Sequence, residues 1–182
     1  MTWYDQIWED TRHKVFISYY HHDDEYYKHL FEGASSHIFI SKSVQPGDIA
    51  AENSDEYIKR LIQEDYISDA SVVVVLVGLN TKSRKHVDWE ISAGLNKKVG
   101  GYSGLLGILL PTFRLQPNGE YLYADIPPRL ADNIKSGYAD IYGWDHACSH
   151  MKEIVAGAFN KRISAATKID NSRIQAAYDG YC

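Results

Sequence analysis

Val72-Val73-Val74-Val75-Leu76-Val77-Gly78 decides the fold of this chain. A continuous valine-rich run closed by a glycine is the pattern of a strand buried on both faces, as in a parallel sheet covered by helices on both sides. It predicts the central strand. Just downstream, Arg84-Lys85-His86-Val87-Asp88-Trp89-Glu90-Ile91-Ser92-Ala93 opens a helix. At about 100° per residue, Val87, Ile91, Gly94 and Leu95 fall on one stripe. Glu90 lies on the flank of that stripe, half desolvated yet reachable, whereas Trp89 points away from it.

Upstream, Lys14-Val15-Phe16-Ile17-Ser18-Tyr19-Tyr20 reads as a first strand. His21-His22-Asp23-Asp24 turns it into a helix through Phe31, with acids where the macrodipole favours them. His37-Ile38-Phe39-Ile40 is a short second strand, followed by a long polar loop over 43–53 that contains Pro46-Gly47. Asn53 and Glu56 resemble a capping box for a helix ending near Tyr66. Beyond the Glu90 helix come a fourth strand, Leu105-Leu106-Gly107-Ile108-Leu109-Leu110, and a short helix at Pro127-Pro128. Ala139-Asp140-Ile141-Tyr142 is a weaker fifth strand, and Met151, Ile154, Val155, Ala158 and Phe159 mark a last helix. Gly94, Gly100, Gly101 and Gly104 read as helix-end and turn glycines.

Strands alternating with helices imply right-handed crossovers and helices on both faces. The expected fold is α/β and flavodoxin-like: three layers around a five-stranded parallel sheet of order 2-1-3-4-5. Its switch point lies between strands 1 and 3, so Tyr19-Tyr20-His21 and the Glu90 helix should flank one crevice. Residues 1–12, with Trp3, Tyr4, Ile7 and Trp8 at helix-like spacing, form an N-terminal arm; 13–163 form the domain. Residues 164–182 form a polar tail with a helical turn around Ile174 to Tyr178.

Composition narrows the function. The chain has 182 residues, of which 45% are hydrophobic and 24% charged, as in an ordinary single globular domain. A net charge of −5 without a basic run gives little support for binding nucleic acid or an acidic membrane surface. Two cysteines, Cys148 and Cys182, and no leader ahead of the first strand indicate a cytoplasmic protein without structural disulfides. The longest apolar runs fall well short of the ~20 residues that span a bilayer. Fourteen tyrosines and four tryptophans point to stacking or to subunit contacts, including a homo-oligomer, without choosing between them.

In this order the motifs resemble those of bacterial TIR domains, in particular the TIR-like subunit of Thoeris antiphage defence systems. Val15-Phe16-Ile17-Ser18-Tyr19 is similar to the opening TIR box, and Pro46-Gly47 sits where the second box has its Pro-Gly loop. Glu90 falls where enzymatic members carry a glutamate. Those members show Ser-x-Trp-Cys-x-x-Glu, whereas this chain reads Arg84-x-His86-Val87-x-x-Glu90 and has no clear third box. A register set on Trp89 would put Ala93 at the glutamate position; the flanking placement of Glu90 favours Glu90.

The resemblance implies NAD as substrate rather than resident cofactor, with cleavage between nicotinamide and ribose. In Thoeris members the remainder becomes a cyclic ADP-ribose isomer that activates a partner effector. Glycosidases use two carboxylates, one to protonate the leaving group. Nicotinamide departs neutral from a cationic pyridinium, so a single carboxylate beside the ribose suffices, and Glu90 is the catalytic candidate. Phe16, Tyr19 and Tyr20 are candidates to stack on a base, with Phe16 more readily read as strand core. Ser18 and the backbone N–H groups at the following helix start stand where ribose or phosphate could be held, and Tyr19, Tyr20 and His21 read equally as binding residues or as loop packing. Lys82, Arg84 and Lys85 at a helix start oppose the macrodipole, which suits phosphate binding or a solvated basic turn. His86 completes the set of substrate-side residues, and the 43–53 loop is a candidate lid or interface.

Other classes fit less well. His21-His22-Asp23-Asp24 is better explained by helix capping than by metal, since consecutive side chains diverge and no second cluster completes a tetrahedral set. No Gly-x-Gly-x-x-Gly follows the first strand, against a dinucleotide redox fold. The third strand ends Val77-Gly78-Leu79-Asn80, without the aspartate of a phosphorylated receiver. The competing class is a non-catalytic TIR scaffold that docks through Trp89 and the Pro46 loop.

Overall fold

A computed structural model describes residues 12–180 apart from 45, 46, 49 and 51. Residues 1–11 of the expected 1–12 arm, Pro46 and Cys182 lie outside the described residues. Five strands, β1 (His13–Ser18), β2 (Phe39–Lys42), β3 (Val72–Val77), β4 (Gly104–Leu109) and β5 (Asp140–Gly143), form one parallel sheet. Their order is β2-β1-β3-β4-β5, the flavodoxin-like arrangement the sequence pattern predicts. The helices are α1 (His21–Ser35), α2 (Asp55–Leu61), α3 (Lys85–Leu95), α4 (Pro128–Ser136), α5 (Trp144–Ser149) and α6 (Met151–Ser164).

β3 is central and buried throughout. Its alternating side chains divide between two cores. Val73, Val75 and Val77 pack with Phe16, Val87, Trp89 and Ile91 beneath α3, while Val72, Val74 and Leu76 pack with Phe31, Met151 and Val155 beneath α1 and α6.

Several boundaries differ from the sequence reading. β2 starts at Phe39 because Ile38 N–H still donates to Ser35 O, at 2.8 Å, closing the end of α1. The cap of α2 is Ser54 rather than Asn53, its side chain accepting from Tyr57 N–H at 3.2 Å. α5 carries too few residues to show a periodicity and was not expected. Gly94 lies at the end of α3, as expected, and is also a close-approach position; Gly104 opens β4 and is a close-approach position rather than a turn glycine. A Cβ at Gly104 would lie 2.1 Å from Ala158 O, and one at Gly94 would lie 2.6 Å from Val73 Cγ2. Hydrogen at these two positions lets α6 lie against β4 and α3 against β3.

The tail behaves differently from expectation. After a 3-10 turn at Ala166–Lys168, residues 169–180 carry no helical turn and run back along α3 as a strap. Trp89 therefore does not face solvent: it is 1% exposed, and its Nε1 donates to Ala176 O at 2.8 Å. Every residue from Val87 to Leu95 is buried. Among the described residues no helix is long and apolar enough to cross a membrane.

Candidate active site

At the carboxyl edge of the sheet, β1 feeds α1 onto one face and β3 feeds α3 onto the other, opening the crevice expected at a topological switch point. Two hydrogen bonds tie its walls together. Asn80 Nδ2 donates to Asp23 Oδ2 at 2.7 Å, and Thr81 Oγ1 donates to Asp24 Oδ2 at 2.9 Å while accepting from Gly78 N–H at 2.8 Å. This corrects the capping role expected of the 21–24 motif. α1 is capped by Tyr20 without a side-chain bond, and Asp24 is a buried latch whose pKa burial pushes up to about 6.

The crevice holds a cavity of about 390 Å³, within the usual range for small-molecule sites. Tyr19, Tyr20 and His21 line one wall, Arg84, Lys85, His86 and Glu90 the other, with Val44, Asp55 and Ile58 closing one side and Asp179 of the strap another. The structure thus brings six of the eight sequence-derived site residues to one cavity. The other two lie behind it. Phe16 is fully buried in the core beneath α3 and offers the cavity no surface, and Ser18, also fully buried, donates its hydroxyl to Glu90 Oε2 at 2.5 Å. Ser18 is therefore placed to hold the carboxyl group rather than a ligand.

Glu90 is 4% exposed. Burial pushes its pKa up to about 8 against the opposing effect of the Ser18 hydrogen bond, so both protonation states lie within reach near neutral pH. Around it the two imidazoles are shifted toward the neutral form. Burial lowers the His21 pKa, with the charges of His86 and Lys28 adding and Glu25 opposing. Partial enclosure, then the neighbouring Lys85, lowers that of His86. Tyr19 stacks on His21 with ring centroids 4.3 Å apart; its hydroxyl has no hydrogen-bond partner among the described residues, and burial raises its pKa.

The basic residues meet protein carboxylates. Lys85 Nζ lies 2.8 Å from Asp55 Oδ1, and Arg84 lies over the Tyr20 ring at 3.8 Å with a nitrogen 3.9 Å from Asp179. Asp179 also accepts from Lys85 N–H, at the first residue of α3, at 2.8 Å. Lys82 instead pairs with Asp125 at 3.7 Å, outside the cavity. Sequence reasoning missed Asp55 and Asp179. Asp55 had a weak signal as an acid in a first helical turn; Asp179 had none, because only the path of the strap brings it here.

Residues 16–114 match the family model described as Thoeris protein ThsB, TIR-like domain. The matched span runs from within β1 to beyond the end of β4 and includes Glu90. The TIR domains of the activated Roq1 resistosome directly recognizing the pathogen effector XopQ are 13% identical to this chain, with 86% of this chain and 83% of that one covered and a TM-score of 0.38. No curated protein matches the sequence.

Proposed function

This chain belongs to the TIR-like domain family of Thoeris protein ThsB, and we propose that it is an NAD-consuming enzyme with Glu90 as its catalytic residue. The observation that carries the proposal is the buried carboxyl group of Glu90, hydrogen-bonded to Ser18, on the wall of a ligand-sized cavity at the switch point. In the reaction, the bond between ribose C1′ and the pyridinium nitrogen breaks, its electron pair leaves with nicotinamide, and positive charge develops on the ribose. The Glu90 carboxylate stabilises that charge in a poorly solvated site, where such an interaction is strong. A pyridinium cation beside Glu90 favours the ionised form, so substrate itself lowers the elevated pKa. Tyr19 and His21 offer a stacked aromatic surface to a base, and Arg84 and Lys85 face the phosphates. Attack at C1′ by an atom of the adenosine half gives a cyclic ADP-ribose isomer, the diffusible signal for a partner effector in antiphage defence. Attack by water would give ADP-ribose.

The scaffold reading loses one of its two contact surfaces, because Trp89 is covered by the strap. Nicotinamide release in extracts of phage-infected cells tests the enzyme. Glu90→Gln is nearly isosteric and should lower release by about 10²-fold or more while leaving the thermal unfolding midpoint in place. Undiminished release would remove Glu90 from the mechanism.

A further inference from the structure

The strap reaches the cavity with a carboxylate, and that carboxylate sits where a ligand phosphate would be drawn. Asp179 accepts the Lys85 N–H at the start of α3 and faces Arg84, while Asp55 takes the Lys85 ammonium. An exposed N–H at a helix start together with a guanidinium is an arrangement that favours anions. Here the anion is supplied by the chain itself. A dinucleotide would bring two negative charges of its pyrophosphate to a rim where both cations already face carboxylates.

The strap is also held in a manner that permits release. Hydrogen bonds tie it to α3 and to the turn before it: Asn171 Nδ2 to Ser92 O, Gln175 Nε2 to Ser92 Oγ, Ala176 N–H to Asp88, Trp89 Nε1 to Ala176 O and Gly180 N–H to Ser83 O. Two of its large apolar side chains, Ile174 at 92% and Tyr178 at 78% exposure, lie in solvent instead of anchoring it. Water can replace the hydrogen bonds of 174–180, and release of this stretch carries the further cost of uncovering Trp89.

We infer that residues 174–180 form an autoinhibitory strap in which Asp179 occupies the phosphate position of the site, so that a phosphate-bearing ligand binds only as the strap withdraws. The inference rests on the proposed reading of the cavity as a dinucleotide site and supplies its regulation. The rim then exchanges one anion for another, and whatever displaces the strap switches the site on.

Calorimetric titration of the full-length protein with ADP tests this without any turnover, and so separates it from the fate of the NAD reaction. Asp179→Asn should bind ADP about tenfold tighter than wild type, and adding Arg84→Gln should abolish the gain. Equal or weaker binding by Asp179→Asn, or no ADP binding by either protein, overturns the inference. Hydrogen exchange on the wild type covers the case of a misfolded variant: saturating ADP should speed exchange in 176–180, and unchanged or slower exchange there contradicts release of the strap. Loss of NAD turnover in Glu90→Gln bears on the reaction alone.

Discussion

Burial raises the pKa of Glu90, and among the described residues the Ser18 hydroxyl opposes the rise. Since the proposed chemistry needs the ionised form, and kcat/KM reports the free enzyme, kcat/KM for NAD should climb with pH through about 8 and then level off. The limb for kcat should lie lower, because the pyridinium cation favours the carboxylate once substrate is bound. Ser18→Ala removes the stabilising donor, so its kcat/KM limb should move to higher pH, with a loss of about tenfold at pH 7, as expected for a hydrogen bond to a charged group. A profile of kcat/KM between pH 6 and 9.5 checks both. An unmoved limb in Ser18→Ala would mean that Ser18 only fills space. The role of Ser18 was hard to read from sequence: a serine ending a strand suggests a ligand contact, and only the register of β1 beside β3 aims it at α3.

Among the elements, β3 was the most legible, because a valine run leaves a strand little choice but double burial. α3 was half legible. Its apolar stripe was correct, but an amphipathic wheel assigns the opposite face to solvent, and here that face is covered by the strap. The strap escaped notice for a physical reason: a segment attached by hydrogen bonds has no hydrophobic period to betray it. Ile174 and Tyr178, four residues apart, suggest a helical turn, yet both point to water while neighbouring polar atoms bond to α3. The glycine at 104 carries the contact between β4 and α6. Gly104→Ala would press a methyl onto Ala158 O and should cost about 3 kcal/mol in urea unfolding, at the upper end of the usual overpacking range. A cost below about 0.5 kcal/mol would show that α6 can shift freely.

Across the whole molecule, strap, α3 and α4 are joined by one buried ion pair. Arg129, fully buried on α4, reaches Asp88 at 2.8 Å and 3.2 Å and Asn171 at 2.7 Å, while Asp88 also accepts from Ala176 N–H. Removing one partner leaves a buried charge uncompensated, so Arg129→Ala should lose roughly 3–5 kcal/mol in the same unfolding experiment. Only the Arg129-to-Asp88 part of this clamp is shared by two helices of the sheet layer; the rest depends on chain after α6, which explains why strand and helix patterns alone revealed the crevice but not its cover. The proposed conversion of NAD into a cyclic signal through Glu90 is tested by mass spectrometry of small molecules from phage-infected cells carrying wild type or Glu90→Gln. An ion at the mass of cyclic ADP-ribose is expected with the wild type and not with the variant. The same ion at equal abundance from both, or no NAD-derived product from a folded wild type in cells that resist the phage, would contradict it.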